Sequence, residues 1–297
     1  MTPHTQADAG GILDYFAFSV ALGIRSLKPG FYREPLARII NPLSYIRGTE
    51  FSLVFKEIDA SSGDRILDIG SPKMAFLYLA AKSEARIYAT DIRDYFIGPA
   101  EIFLRGIGVG DSIGSRLVLD IQDARSMTYP DGFFDKIFSI SVIEHIPDDG
   151  DTKAMAEIGR TLRPGGIACL TVPYRHEGYS EEFRDEVFGQ RKGENKLFYQ
   201  RRYDDGALAR RLIEPSGLQI RGVTYFGEPY VSFNRCWCRI PLLWKVPLLW
   251  LQPLLERCLV RTLDKEQRNR AVGAAITLVK RGQQKLSDAR FGRSSYG

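Results

Sequence analysis

Arg65-Ile66-Leu67-Asp68-Ile69-Gly70-Ser71-Pro72 reads as a buried strand that turns sharply into a helix, with a carboxylate and a glycine at the turn. A ligand can meet backbone amides at such a turn. On the C-terminal side, short β-branched apolar runs at 86–90, 116–119, 136–140 and 167–172 alternate with helical patterns at 72–82, 95–106 and 151–162. That alternation predicts a mostly parallel sheet covered by helices. Asp151 reads as the N-cap of the last helix, and Pro164-Gly165-Gly166 as a stop followed by a turn. Asp91 closes the second strand about twenty residues beyond Gly70, where a carboxylate can accept both hydroxyls of a ribose. A solvated aspartate at a strand end is the competing reading.

The 297 residues allow one large domain with additions, and 44% hydrophobic with 26% charged residues excludes a disordered or collagen-like chain. Four cysteines (Cys169, Cys236, Cys238, Cys258) and three histidines offer no paired metal-ligand spacing, so a reducing compartment and no structural zinc are expected. The formal charge of +5 is too small to argue for nucleic acid, and no zinc module or aromatic-interleaved basic groove supports it. The first positive residue is Arg25, so no positively charged region precedes the apolar stretch 15–24, which is also shorter than the ~20 residues that span a bilayer; neither a signal peptide nor an N-terminal anchor is expected.

Residues 43–58 place Leu43, Ile46, Phe51, Val54, Phe55 and Ile58 on one helical stripe, which predicts an N-terminal helical cap over 1–60. The main domain is expected over 61–280 and a fraying tail over 281–297. Within the domain, 181–202 is highly charged and reads as a loop or mobile helix. Residues 204–213 read as a helix closed by Pro215 and Gly217, and 218–226 and 274–279 as strands.

An insertion at 235–262 is unusual: Pro-Leu-Leu-Trp at 241–244 recurs at 247–250, and Pro-Leu-Leu again at 253–255. Its prolines would break a spanning helix. Trp, Leu and basic residues (Arg235, Arg239, Lys245, Arg257, Arg261) suit a membrane surface through 240–260. A packing or dimer-contact role is equally open.

Residues 122–135 (Gln-Asp-Ala-Arg-Ser-Met-Thr-Tyr-Pro-Asp-Gly-Phe-Phe-Asp) run into 136–146 (Lys-Ile-Phe-Ser-Ile-Ser-Val-Ile-Glu-His-Ile), followed by 157–166 (Glu-Ile-Gly-Arg-Thr-Leu-Arg-Pro-Gly-Gly) and a strand ending Thr171-Val172-Pro173. These strings resemble the class I S-adenosylmethionine-dependent methyltransferases of the type 11 kind over about 64–175, and loosely to 280. The resemblance implies an α/β, three-layer, Rossmann-like sheet of seven strands, mostly parallel, whose last strand inserts antiparallel beside the fifth. It implies S-adenosyl-L-methionine as cofactor across the carboxyl ends of the strands. Asp68 and Gly70 match the first loop, Asp91 with Ile92 beside it the ribose-binding acid, and Asp123 with the amide of Ala124 the adenine contacts. Ser139 and Ser141 match the end of the fourth strand, where methionine and acceptor meet. The family's three loop glycines are Gly70, Pro72 and Met74 here. Ser71 as N-cap with Pro72 at the first helical position would preset the helix start, and Lys73 beside the free amides would hold the cofactor carboxylate.

His145 and His176 fall beyond the fourth and fifth strands and are candidate bases, with Tyr174 and Glu177 candidate acceptor contacts. For His145 a structural role, and for His176 an exposed loop position, are the alternatives. Cys236 and Cys238 read as alternate positions on a strand end. Arg201 and Arg202, with Arg210 and Arg211, are either steering charges or ordinary surface ones. The expected activity is methyl transfer to a small-molecule acceptor, lipid, isoprenoid or otherwise amphipathic, in the cytoplasm and at the inner face of a membrane. A polar metabolite or sugar acceptor, or a methyltransferase-like binding protein without catalysis, are the alternatives. A nicotinamide-dependent oxidoreductase is disfavoured by the absent Gly-x-Gly-x-x-Gly turn.

Overall fold

The computed structural model describes residues 9–71, 74–187, 190–191 and 196–282. Three helices come first, α1 (Ala9–Ser26), α2 (Arg33–Ile40) and α3 (Arg47–Ile58). The α/β unit follows as β1 (Arg65–Ile69), α4 (Phe76–Lys82), β2 (Arg86–Asp91), α5 (Ile97–Gly106), β3 (Leu117–Ile121), β4 (Phe134–Ile140), α6 (Gly150–Thr161) and β5 (Leu162–Pro173). Next come β6 (Ser180–Arg184), β7 (Glu186–Val187), β8 (Gln190–Arg191) and β9 (Leu197–Arg202). A helix then runs from α7 (Asp205–Ala207) through a π-helical stretch (Leu208–Ile213) into α8 (Glu214–Ser216). The chain closes with β10 (Gln219–Gly227), α9 (Phe233–Arg239), α10 (Leu242–Lys245), α11 (Gln252–Leu259), β11 (Arg261–Leu263) and β12 (Ala271–Val279).

The main sheet has the order β11-β10-β12-β5-β4-β1-β2-β3. β1 pairs in parallel with both β2 and β4, while β12 lies antiparallel between β5 and β10. The expected seven-stranded sheet therefore gains an eighth strand: β11 pairs antiparallel with the end of β10 through Tyr225 to Gly227. Successive side chains of the buried strands serve opposite faces. Ile66, Phe138 and Ile140 pack with Phe76, Phe96 and Phe103 on one side, and Leu67, Ile69 and Ile137 with Met155, Ile158 and Leu212 on the other. Tyr15, Leu22, Phe51, Val54 and Ile58 join the first core, so α1 and α3 belong to the helical layer that also holds α4 and α5.

Several expectations need correction. The helix expected from residue 43 starts at Arg47, because Ile46 is left-handed (φ 77°) and the Tyr45 N–H donates to Gln252 Oε1 at 2.9 Å. Asp151 is not an N-cap; that position is Asp149, and Asp151 lies inside α6 with no exposed surface. The described residues of 181–202 are not a loop or mobile helix but carry the β6–β9 pair, where the rings of Phe183 and Phe198 meet across the strands at 5.8 Å. Cys236 and Cys238 fall on α9, not on a strand. Arg201 is no surface charge: it is fully buried, 3.3 Å from Glu181 and 3.6 Å from Asp151, and Arg211 binds Asp151 at 2.7 Å.

The insertion is a chain of short helices, each prolyl repeat opening a new turn. Among the described residues no helix is long and apolar enough to cross a membrane. One side of it forms a small core of Trp237, Leu249 and Val260 with Tyr45. The other leaves Trp244 75% and Trp250 52% exposed, with Leu248, Leu251 and Leu254 exposed beside them.

Candidate functional site

Sheet order reverses between β1 and β4, and ligands of open α/β sheets bind at such a switch, outside the carboxyl ends. Gly70 makes the turn there. Its φ is +75°, and a Cβ would lie 2.4 Å from Val142 Cγ1, so neither conformation nor space admits a side chain. Asp68 is buried just before it, and its carbonyl accepts the hydroxyls of Thr90 at 2.9 Å and Ser71 at 3.3 Å. Ser71 is thus not the N-cap of α4, which begins at Phe76 after Ala75. Pro72 and Lys73 lie outside the described residues. Met74, at the third glycine position, is left-handed (φ 53°), so the loop keeps a glycine-like backbone without the glycine.

Asp91 ends β2, half-buried, with one carboxylate oxygen accepting the Arg93 N–H at 3.1 Å. Burial pushes its carboxyl up, the mark of a partly dehydrated acceptor that a pair of hydroxyls could serve. Ile92 beside it is 57% exposed and can cover a flat ligand. The Gln122 N–H donates to Asp91 O at 2.9 Å, which brings the β3 end, Asp123 and partly buried Ala124 alongside. The Asp123 carboxylate is clasped by Arg125 at 2.7 Å, which holds its carboxyl below the ordinary range. An adenine would meet that pair rather than a lone carboxylate.

At the end of β4, Ser139 is buried and its hydroxyl donates to Ile69 O at 3.2 Å, a link between strands. Ser141, left-handed at φ 47°, donates its hydroxyl to Glu50 Oε1, which also accepts from Thr171 Oγ1 at 3.0 Å; Arg47 pairs with Oε2. Glu50 therefore joins α3 to the ends of β4 and β5, a position the motifs do not mark. Its signal was present: Glu50 lies four residues before Val54 and eight before Ile58, an ionisable side chain on an apolar stripe.

Glu256 of α11 approaches from the insertion, accepts the Thr49 N–H and is 1% exposed. Glu228, following β10, accepts the Tyr45 hydroxyl at 2.5 Å and the Asn234 N–H at 2.9 Å. Burial pushes the Glu256 carboxyl up to about 7, the N–H groups of Thr49 and Gly48 opposing it and Glu50 adding to it. A carboxyl raised above its unfolded value near 4.3 keeps its proton longer in the folded state. Its contribution to stability is complete below about pH 4 and is lost as pH rises through about 7. Urea unfolding should show a loss on the order of 3 kcal/mol between pH 4.5 and 8, and Glu256→Gln should flatten that slope. Parallel slopes in the two proteins would refute the assignment.

The two histidines are not brought together. His145 donates from Nδ1 to Tyr199 O at 2.6 Å, with Nε2 3.7 Å from Glu144, and so braces β9. His176 is exposed, its Nδ1 3.4 Å from the Tyr174 hydroxyl. Tyr174 is buried, and its phenol is pushed up to about 12 by burial and by Asp205, which accepts from it at 3.2 Å. It stays protonated at neutral pH. Glu177 is exposed and pairs with Arg175 at 3.2 Å.

Residues 67–170 match the family model of a methyltransferase domain. The methyltransferase GfsG of Streptomyces halstedii is 29% identical over 142 residues, 48% of either chain. The sterol 24-C-methyltransferase of Eremothecium gossypii is 29% identical over 126 residues, 41% of this chain and 31% of that one. The chain spans about half the length of the first of these relatives, or less. Among solved structures, that of the [4+2]-cyclase SpnF superposes with a TM-score of 0.51 at 18% identity, covering 94% of this chain and 98% of the other.

Proposed function

We propose, from the premise that residues 67–170 form a class I S-adenosylmethionine-dependent methyltransferase domain, that the protein transfers a methyl group to a small amphipathic acceptor. The observation that carries this is the switch point itself, where Gly70, Asp91 and the β3 end converge beside Ser141 and Glu50. These residues fit the cofactor: Gly70 leaves backbone open, Asp91 offers a partly dehydrated carboxylate for a ribose, and Ile92 offers an apolar cover. Bound there, S-adenosylmethionine supplies a methyl on a sulfonium, already a good leaving group. The chain's share is then positioning and exclusion of water. Glu50, held by Ser141, Thr171 and Arg47, orients the acceptor at the edge of β4 and β5, and His145, His176, Tyr174 and Glu177 bound the same edge farther out. Calorimetric titration with S-adenosylmethionine and S-adenosylhomocysteine should give roughly micromolar binding. Folded protein that binds neither would overturn the reading.

An amphipathic acceptor is favoured by the apolar face of the insertion, where two tryptophans and three leucines stand exposed near Lys245. The sterol acceptor in the name of one relative is consistent with that choice. The same face would rest on an anionic membrane surface at the cytoplasmic side. Co-sedimentation with anionic vesicles at low salt should be substantial, and Trp244→Ser with Trp250→Ser should reduce the bound fraction several-fold. Equal sedimentation of both proteins would remove the membrane from the account.

A second reading keeps the fold and drops methyl transfer. The [4+2]-cyclase SpnF, whose fold superposes on nearly the whole chain, is named for a different reaction, and only one of three loop glycines is retained. Methyl transfer assayed over a panel of amphipathic acceptors separates the two readings.

A further inference from the structure

We infer that the cleft beyond β5 is a subsite for an anionic group of the phosphate or diphosphate class carried by the acceptor. This rests on the proposed methyl transfer for the word acceptor, and on the cleft's own chemistry for the rest. β10 ends and β12 begins at the carboxyl edge, where Gly227 pairs with Ala271 and Gly273 pairs with Pro173 at the end of β5. Above that edge lies a cleft of about 720 Å³. Arg202, Arg235, Arg239 and Arg270 line it, against the carboxylates of Glu182 and Glu228.

Both carboxylates are committed elsewhere. Glu182 binds Arg184 at 2.8 Å and Gln200 at 2.9 Å, and Glu228 holds the Tyr45 hydroxyl and the Asn234 N–H. Arg202 lies 3.6 Å from Glu182, whereas Arg235, Arg239 and Arg270 have no ion pair among the described residues. Arg235 and Arg239 are one helical turn apart on α9, so their guanidinium groups serve one face. Guanidinium forks match phosphate oxygens in pairs, and a cleft carrying a surplus of them concentrates anions.

The place fits an acceptor. On the sheet, β12 and β10 lie on the side of β5 away from β1 and β2, so an anion here leaves the switch point free for the cofactor. Glu228 spans the two regions: it lines the cleft and binds Tyr45, two residues before Arg47, which pairs with Glu50. An acceptor with its head among the arginines would direct its body towards Glu50.

The test is calorimetric titration of the full chain with inorganic pyrophosphate, at low and at physiological salt. Three proteins are compared: the unchanged chain, Arg235→Gln with Arg239→Gln, and Arg33→Gln as an exposed arginine outside the cleft. The cleft variant should bind pyrophosphate at least about tenfold more weakly, Arg33→Gln should match the unchanged chain, and S-adenosylmethionine affinity should be the same in all three. Equal pyrophosphate affinity in the cleft variant, or none in the unchanged chain, overturns the subsite. Anionic vesicles form a second arm: if the cleft variant loses vesicle binding but keeps pyrophosphate binding, the arginines serve a lipid surface and the subsite is again overturned. Pyrophosphate binding with no S-adenosylmethionine binding would sink the methyltransferase reading and leave an anion site standing.

Discussion

Asp91→Ala should weaken S-adenosylmethionine binding about a hundredfold while leaving the protein as stable as before, or slightly more so. A carboxylate that accepts two ribose hydroxyls makes two hydrogen bonds to a charged group, each worth about 1.5–3 kcal/mol when its partner is buried. Part of that gain is offset on binding by further dehydration of the carboxylate, and about 1.4 kcal/mol corresponds to a factor of ten. A hundredfold is therefore the central expectation. The stability half follows from the raised carboxyl of Asp91: burial disfavours its charge in the free protein, so deleting it removes a cost. Asp91→Asn keeps one acceptor oxygen and should fall between, near tenfold. Calorimetry gives the affinities and thermal unfolding the stabilities. An unchanged affinity in Asp91→Ala would place the ribose elsewhere.

The largest effect on folding is expected at Asp151. This carboxylate has no exposed surface and accepts from Arg211 Nε at 2.8 Å and Nη2 at 2.7 Å, from the Tyr203 hydroxyl at 2.9 Å and from the Thr152 N–H at 2.9 Å. Arg201, 1% exposed in its side chain, lies 3.6 Å away. Removing one member of a buried ionic cluster strands the others, at a cost of about 3–5 kcal/mol. Arg201 keeps Glu181 and the carbonyls of Ile146 and Asp148, which argues for the lower half of that range. Asp151→Ala should thus lower the urea midpoint by an amount equal to about 3 kcal/mol with an unchanged slope, a large share of the ~5–15 kcal/mol that domains possess. Asp151→Asn retains the shape and one acceptor oxygen and should lose less. A change below about 1 kcal/mol would mean that α6 and β9 are held by packing alone.

What the sequence made legible depends on how each signal is encoded. β1, its turn and the strands that follow announce themselves because strands buried on both faces are continuous apolar runs between breakers. The strand at 274–279 was legible as an apolar run, but its antiparallel place beside β5 was reached only through the family resemblance, since pairing partners leave no local trace. The β6–β9 pair stayed hidden because its inward residues are few and its outward ones charged: Glu182, Arg184 and Gln200 form a polar ladder that reads as solvent exposure. Arg201 shows the same limit more sharply, as an arginine doublet at 201–202 splits into one buried and one exposed side chain only once strand alternation is known. Glu50 and Glu256 were missed for the opposite reason, each a carboxylate within a helix whose apolar neighbours dominate the pattern. The start of α4 was misplaced because Ser-Pro is a common helix entry, whereas Gly70 and Met74 are both left-handed and the helix opens only at Phe76.

The short helices that follow β10 carry an optical consequence. All three tryptophans of the chain, Trp237, Trp244 and Trp250, fall between α9 and the turn before α11. Selectively excited indole emission therefore originates in that one segment, and the sheet, with its tyrosines and phenylalanines, is silent at those wavelengths. The three rings are also distinct: Trp237 is buried with its Nε1–H on Gln252, Trp250 donates to Ile39 O at 2.8 Å, and Trp244 faces outward. Quencher accessibility would rank them, and a blue shift on adding ligand or vesicle would come from this segment alone, so the native protein carries its own site-specific dye.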